Sequence, residues 1–205
     1  MANDTDSVIT ELVQIPLRVP YKDFIDVFVP ELEPILLSQP GLISVMTGHI
    51  IGAQMTDDDG NYAVSLTQWE SMEAHSAFLA SPSAGPFFQR LQPLITGPPN
   101  VEHYRWGRFK LSALASRYVH VRKSSGRDDS LAELKAMSER HTVVNGQEAV
   151  AIGSCMEADS QIGLVLFANL PLFNTVADAR TSEHGTGSFT VFLARSEVKK
   201  VPQSL

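Results

Sequence analysis

The chain is short of cysteine, of clustered basic charge and of long apolar runs, and each shortage excludes something. A single cysteine, Cys155, stands among 205 residues. No internal disulfide can form, which suits a reducing compartment. Sixteen Lys and Arg against 23 Asp and Glu leave a net charge of −7. Arg117, Arg122, Lys123 and Arg127 are scattered among small polar residues. A phosphate-backbone partner needs clustered cations, so nucleic acid is disfavoured. No stretch approaches the ~18 apolar residues of a membrane helix, so no membrane partner is expected. The opening Met1-Ala2-Asn3-Asp4-Thr5-Asp6 is acidic and lacks the basic and apolar regions of a signal peptide. The expected location is cytoplasmic.

The compact signatures of several chemistries are absent too. There is no Gly-x-Gly-x-x-Gly, no Walker loop and no Gly-x-Ser-x-Gly elbow. The six histidines form no His-Glu-x-x-His. Neither a dedicated metal site nor a bound cofactor is expected on that ground.

What is present is an ordinary globular composition, 43% hydrophobic and 19% charged. The length allows one large domain or two of about 100 residues. Val8–Ile15 reads as a half-buried strand ended by Pro16 and Pro20. Phe24, Phe28, Leu32 and Ile35 recur at helical spacing, with Pro30 and Pro34 expected to kink or break that helix. A turn at Pro40-Gly41 leads to a second strand, Leu42 to Ala53. The polar loop Asp57–Asn61 precedes strand Tyr62–Gln68. A helix from Met72 to Ala80, its amphipathic extension Phe87–Gln92 and a strand Val101–Phe109 complete a β-α-β-β-α-β unit.

The second half repeats that order. Tyr118–Val121 is a strand, and Leu131, Leu134, Met137 and Ser138 mark a helix capped by Asp128 or Asp129. Glu148–Met156 and Gln161–Asn169 form a hairpin, Pro171 opens a helix to about Arg180, and Ser188–Arg195 is the last strand. Val64–Leu66 precedes Leu164–Leu166 by 100 positions. This points to a tandem duplication, with halves 1–110 and 111–205 meeting at Lys110–Ser116. One such unit leaves a sheet face bare; two packed face to face cover it and enclose an interior suited to a small-molecule cavity.

The segment Trp69-Glu70-Ser71-Met72-Glu73-Ala74-His75-Ser76-Ala77-Phe78-Leu79-Ala80-Ser81-Pro82 lies directly behind the third strand. It resembles the end of strand three and the second helix of dimeric α/β-barrel proteins of the antibiotic-biosynthesis-monooxygenase group. Phe87-Phe88, Leu91 and Val101-Glu102-His103-Tyr104 are similar as well. The arrangement looks most like fungal tandem-domain members. The resemblance implies an α+β fold, tandem ferredoxin-like repeats closing into an intrachain barrel of the dimeric type. It also implies cofactor-free oxygenation, isomerisation or cyclisation of aromatic or polyketide-type compounds in secondary metabolism. Haem-degrading relatives carry an iron-binding histidine later in the second helix, and the matching Ser83–Gln92 has none.

His75 is a candidate general acid or base, since imidazole titrates near neutrality; the alternative is a histidine on the solvent face or capping a neighbour. His49 shares a strand face with Thr47, and reaches the cavity if that face is interior. On strand three Val64 and Leu66 are expected to meet the helices, leaving Ser65, Thr67 and Trp69 inside, where Trp69 could stack on a planar substrate. On strand four either His103 and Arg105 or Tyr104 and Trp106 point inward; the former pair are the candidate substrate contacts. His120, between Val119 and Val121, is either inward and opposite His49 or exposed on an edge strand. Glu183–Gly187 more simply ends a helix than binds phosphate. The Trp-Glu-Ser-x-Glu-Ala-His pattern has no counterpart at Asn169–Asn174, so the halves should be unequal.

Two functions remain open on this reading. The first is a cofactor-independent enzyme that abstracts a proton from a hydrophobic substrate, with His49, His75 or His120 as catalytic groups. The second is a non-catalytic ligand-binding or stress-response barrel. Two tandem-barrel chains could further pair as a homodimer.

Overall fold

The computed structural model describes residues 8–51, 61–108, 118–124, 150–158, 162–168 and 188–198. Its elements run β1 (Ile9–Pro16), α1 (Tyr21–Val27), α2 (Glu33–Leu37), β2 (Leu42–Ile51), β3 (Tyr62–Trp69), α3 (Met72–Leu79), α4 (Ala84–Leu91) and β4 (Asn100–Tyr104). β5 (Tyr118–Ser124), β6 (Val150–Ser154), β7 (Ile162–Ala168) and β8 (Ser188–Val198) follow. The fold is α+β, and its first half is a ferredoxin-like unit.

The stripe on the first helix explains an unusual turn. Phe24, Phe28, Leu32 and Leu36 are the buried residues, each four positions from the last. An α-helix turns every 3.6 residues, so such a stripe drifts off its face. A π turn at Phe28–Leu32, between α1 and α2, supplies the wider winding that realigns it. Pro30 falls inside that turn and Pro34 in the first turn of α2, so the prolines widen the helix rather than end it. With this shift Leu36, not Ile35, completes the buried stripe.

The eight strands of the described residues form one antiparallel sheet ordered β4-β1-β3-β2-β8-β5-β7-β6. The second four repeat the order of the first four, each number raised by four. The two ends of the order also touch. Tyr104 and Cys155 form a β-bridge, the Arg105 N–H donates to Ser154 O at 3.1 Å, and the Met156 N–H to His103 O at 2.8 Å. Gly153 makes this approach possible, because a Cβ there would lie 2.1 Å from the Arg105 carbonyl oxygen. β4 itself stops at Tyr104, short of the sequence expectation of Phe109.

Two cores lie on opposite faces of the sheet. One joins Leu12, Met46, Val64, Leu66, Tyr104 and Trp106 to Val119, Val121, Cys155 and Leu193, so both halves share it. Glu102 spans the same interior, accepting a hydrogen bond from Tyr104 Oη at 3.0 Å and pairing with Lys123 Nζ at 2.5 Å. The other core packs Ile9, Ile15, Val45, Ala63 and Trp69 against Phe24, Phe28, Leu32, Phe78 and Phe87 of the helices.

This division overturns the expected parity of strand three. Val64 and Leu66 face the shared interior, while Ala63 and Trp69, and with them Ser65 and Thr67, face the helices. The physical reason is that both faces of a central strand are covered, so hydrophobicity alone does not say which cover is helical. The helices of the second half expected at 128–138 and 171–180, the boundary at 110–116 and the loop at 183–187 lie outside the described residues. Among the described residues no helix is long and apolar enough to cross a membrane.

Candidate active site

The helix-covered face of the first half is not uniformly apolar. Antiparallel register sets Val45, Thr67, Glu11 and His103 side by side across β2, β3, β1 and β4. β1 is central in its half, so Glu11 at its middle is covered from both sides and above. α3 supplies the cover. Ser71 caps it, its Oγ accepting the Ala74 N–H at 3.3 Å, and His75 and Phe78 are the residues it buries. Gly41 lets α3 settle on the sheet: its φ is +74°, and a Cβ there would lie 2.5 Å from Ala74 Cβ.

The side chains then meet. Trp69 Nε1 donates to Glu11 Oε2 at 3.3 Å, leaving Oε1 at 3.5 Å from His75 Nε2. The Trp69 ring lies against His75 at 5.4 Å between centroids and stacks on Phe78 at 5.8 Å. The His75 ring lies 4.9 Å from that of His103. His103 Nδ1 sits 2.5 Å from Glu157 Oε1, and its backbone N–H donates to Glu157 Oε2 at 2.9 Å. Cys155 Sγ donates to the same oxygen at 3.3 Å. Two imidazole–carboxylate pairs are thus packed ring to ring, one wholly from the first half and one completed by the second.

Charge follows from these contacts. Burial alone would raise the Glu157 carboxyl, but the hydrogen bonds from the His103 backbone, the His103 ring and Cys155 outweigh it and hold the group below its ordinary range. Glu157 is therefore ionised at neutral pH. Burial pushes the Cys155 thiol up, which keeps it protonated and a donor. Among the described residues, His103 Nε2 is buried without a hydrogen-bond partner. An orphaned buried polar atom costs about 1–3 kcal/mol, and a layer of Leu and Phe would avoid that cost. Such local expense belongs to function more often than to folding.

The sequence candidates are distributed as follows. His75, Trp69 and His103 are brought together, and Thr67 lies beside Glu11 in the row, hydrogen-bonded to Ser65 at 3.1 Å between hydroxyls. Thr47 and His49 lie further along the same helix-covered face. His49 packs against Tyr21 of α1, the rings tilted at 47° with centroids 4.6 Å apart, not in the shared interior. His120 alternates with Val119 and Val121, which are interior, so it lies on the outer face and does not oppose His49 across a cavity. Arg105 follows β4 and is exposed, whereas Tyr104 and Trp106 stack inside at 4.3 Å. The described interior joins the apolar cluster to the Glu102–Lys123 ion pair and, on the same sheet face, to buried Thr10, Ser44 and Gln68, whereas the imidazole–carboxylate constellation lies on the other face, beneath α3. Sequence reasoning passed over Glu11 and Glu157. Glu11 had a usable signal: a carboxylate at the centre of a strand that the β-α-β-β-α-β order buries on both faces. Glu157, in a turn, had none.

No family model matches this chain, and no curated protein matches it. Solved structures do share its fold. A candidate monooxygenase from Fusobacterium nucleatum superposes with a TM-score of 0.66 at 9% identity, covering 94% of this chain and 95% of that one. A candidate monooxygenase from Lactobacillus acidophilus gives 0.60 at 10% identity, over 94% and 97%. An anthrone oxidase-like protein gives 0.58 at 11% identity, over 98% of each. The likeness is one of fold.

Proposed function

We propose that the chain is a cofactor-free oxygenase of hydrophobic aromatic compounds of the anthrone or polyketide type, working at Glu11, His75, His103 and Glu157. The observation that carries this reading is the pair of imidazole–carboxylate couples packed ring to ring. Oxidation of an activated methylene without a cofactor needs one group to take a proton and another to return one. His75, with Glu11 beside it, takes the proton from carbon; the resulting carbanion reduces O₂ and captures it as a hydroperoxide. Loss of the second C–H proton breaks the O–O bond, leaving a carbonyl and one water. For an anthrone the balance is anthrone plus O₂ to anthraquinone plus H₂O. His103, held by Glu157, delivers the proton that the departing oxygen needs.

The duplicated strand order and the junction of β4 with β6 support a finer architecture within this proposal. Two ferredoxin-like repeats, 1–110 and 111–205, close into an intrachain barrel; the first carries Glu11, His75 and His103, and the second adds Glu157 to them. The partner this reading requires is a small hydrophobic substrate, in secondary metabolism. A non-catalytic barrel is the second reading, favoured by the apolar filling of the shared interior. Oxygen uptake by chelator-treated protein with an anthrone separates them. Uptake of one O₂ per anthrone, lowered about 10²-fold or more in Glu11→Gln, is expected; no uptake above the buffer rate favours the binding reading.

A further inference from the structure

Glu11, His75 and His103 each offer one ligand atom, and these atoms lie within 4.8 Å of one another. Two imidazoles and one carboxylate are a donor set for a divalent first-row transition metal. We propose that these three side chains form a binding site for such an ion, with Zn²⁺ as its probe, and that occupation withdraws the imidazole lone pairs from proton transfer. The proposal goes beyond the oxygenase reading and reverses the expectation, drawn from sequence spacing, that no metal site is present.

Three observations converge on it. His103 Nδ1 is held by Glu157, while Nε2 is buried and, among the described residues, has no hydrogen-bond partner. Residue His103 is 9% exposed and His75 5%, so both rings are withdrawn from solvent. The outer contacts also suit a metal centre: Glu157 fixes the His103 tautomer, and Trp69 fixes Glu11 through Oε2, leaving Oε1 toward His75. Donors around zinc stand about 3.4 Å apart when bonds are near 2.0–2.1 Å in a tetrahedron. The Glu11–His75 separation of 3.5 Å already meets this, and His103 offers its ligand atom within 4.8 Å of both. The three ligands come from β1, α3 and β4, which explains why no linear motif announced them.

The test is Zn²⁺ binding to the full-length chain without substrate, followed by X-ray absorption on the zinc-loaded wild type. One Zn²⁺ per chain is expected, with two imidazole nitrogens and oxygen around it. Affinity should fall at least tenfold in Glu11→Gln and His75→Gln, fall tenfold or more in Glu157→Gln, and hold in His49→Gln. Absence of binding, sulfur from Cys155 in the shell, or binding that survives both ligand variants overturns the proposal. The wild-type spectrum gives the donor types, and the variants, each checked for native circular dichroism, assign them; where Glu11→Gln does not fold, His75→Gln and Glu157→Gln carry the assignment. Failure of the oxygenase reading would show instead as missing uptake by metal-free protein, whatever the zinc result.

Discussion

At the scale of residues, the site is distinguished by what it does with charge. Glu157 is held ionised by donors, whereas His49, packed against Tyr21, is pushed by burial toward its neutral form. The two make stability depend on pH in separate windows. His49 titrates lower in the folded chain than its ordinary value of about 6.5, so the unfolded chain takes the proton first as pH falls. Its contribution is complete above that value and lost on descending toward the folded value. Glu157, also lowered, keeps its contribution until the pH falls below the ordinary carboxylate range. Denaturant midpoints at pH 7.5 and 5.5 check the first statement: the decrease between them should shrink in His49→Gln, and an equal decrease in variant and wild type contradicts it. His75 was legible in the sequence because it sits in a recognisable segment. Glu11 was legible only through the order of the elements, because a lone Glu in an alternating strand reads as the solvent face until both faces are known to be covered.

At the scale of elements, strand and helix periods located most of the first half, including the order β-α-β-β-α-β and the turn at Pro40-Gly41. The period of two does not say which face a helix covers, and the wrong choice moved Ser65, Thr67 and Trp69 into the interior together. The same ambiguity left His49 a place in the cavity only if its strand face proved to be interior. Helix α3 shows how an element carries the site. Its Ser71 cap satisfies the Ala74 N–H and fixes the first turn, one residue before His75. Ser71→Ala should cost about 1 kcal/mol of stability, and Ser71→Asp should retain most of it. Thermal unfolding of the two variants measures this, and equal losses would show that the hydroxyl does not cap the helix.

At the scale of the whole molecule, the halves act on one another through a shared apolar core and through the β4–β6 junction, where the second half lends Glu157 to a site otherwise built by the first. That junction rests on Gly153, and no sequence period foretold it, because strands far apart in the chain meet there. Gly153→Val should drive the Arg105 carbonyl away, lowering stability by about 1–3 kcal/mol and separating Glu157 from His103. Gly85→Ala, inside α4 with nothing within 4 Å of the added Cβ, should raise stability by up to about 1 kcal/mol and leave the Glu157–His103 contact in place; equal stability of the two variants would contradict this. We place the proposed chemistry beneath α3, not in the shared interior or beside α1. Oxygen uptake with an anthrone, compared between His75→Gln and His49→Gln in chelator-treated protein, tests it most directly. A loss of about 10²-fold or more is expected for His75→Gln and near wild-type rates for His49→Gln; full activity in His75→Gln, or its loss only in His49→Gln, would move the chemistry away from α3.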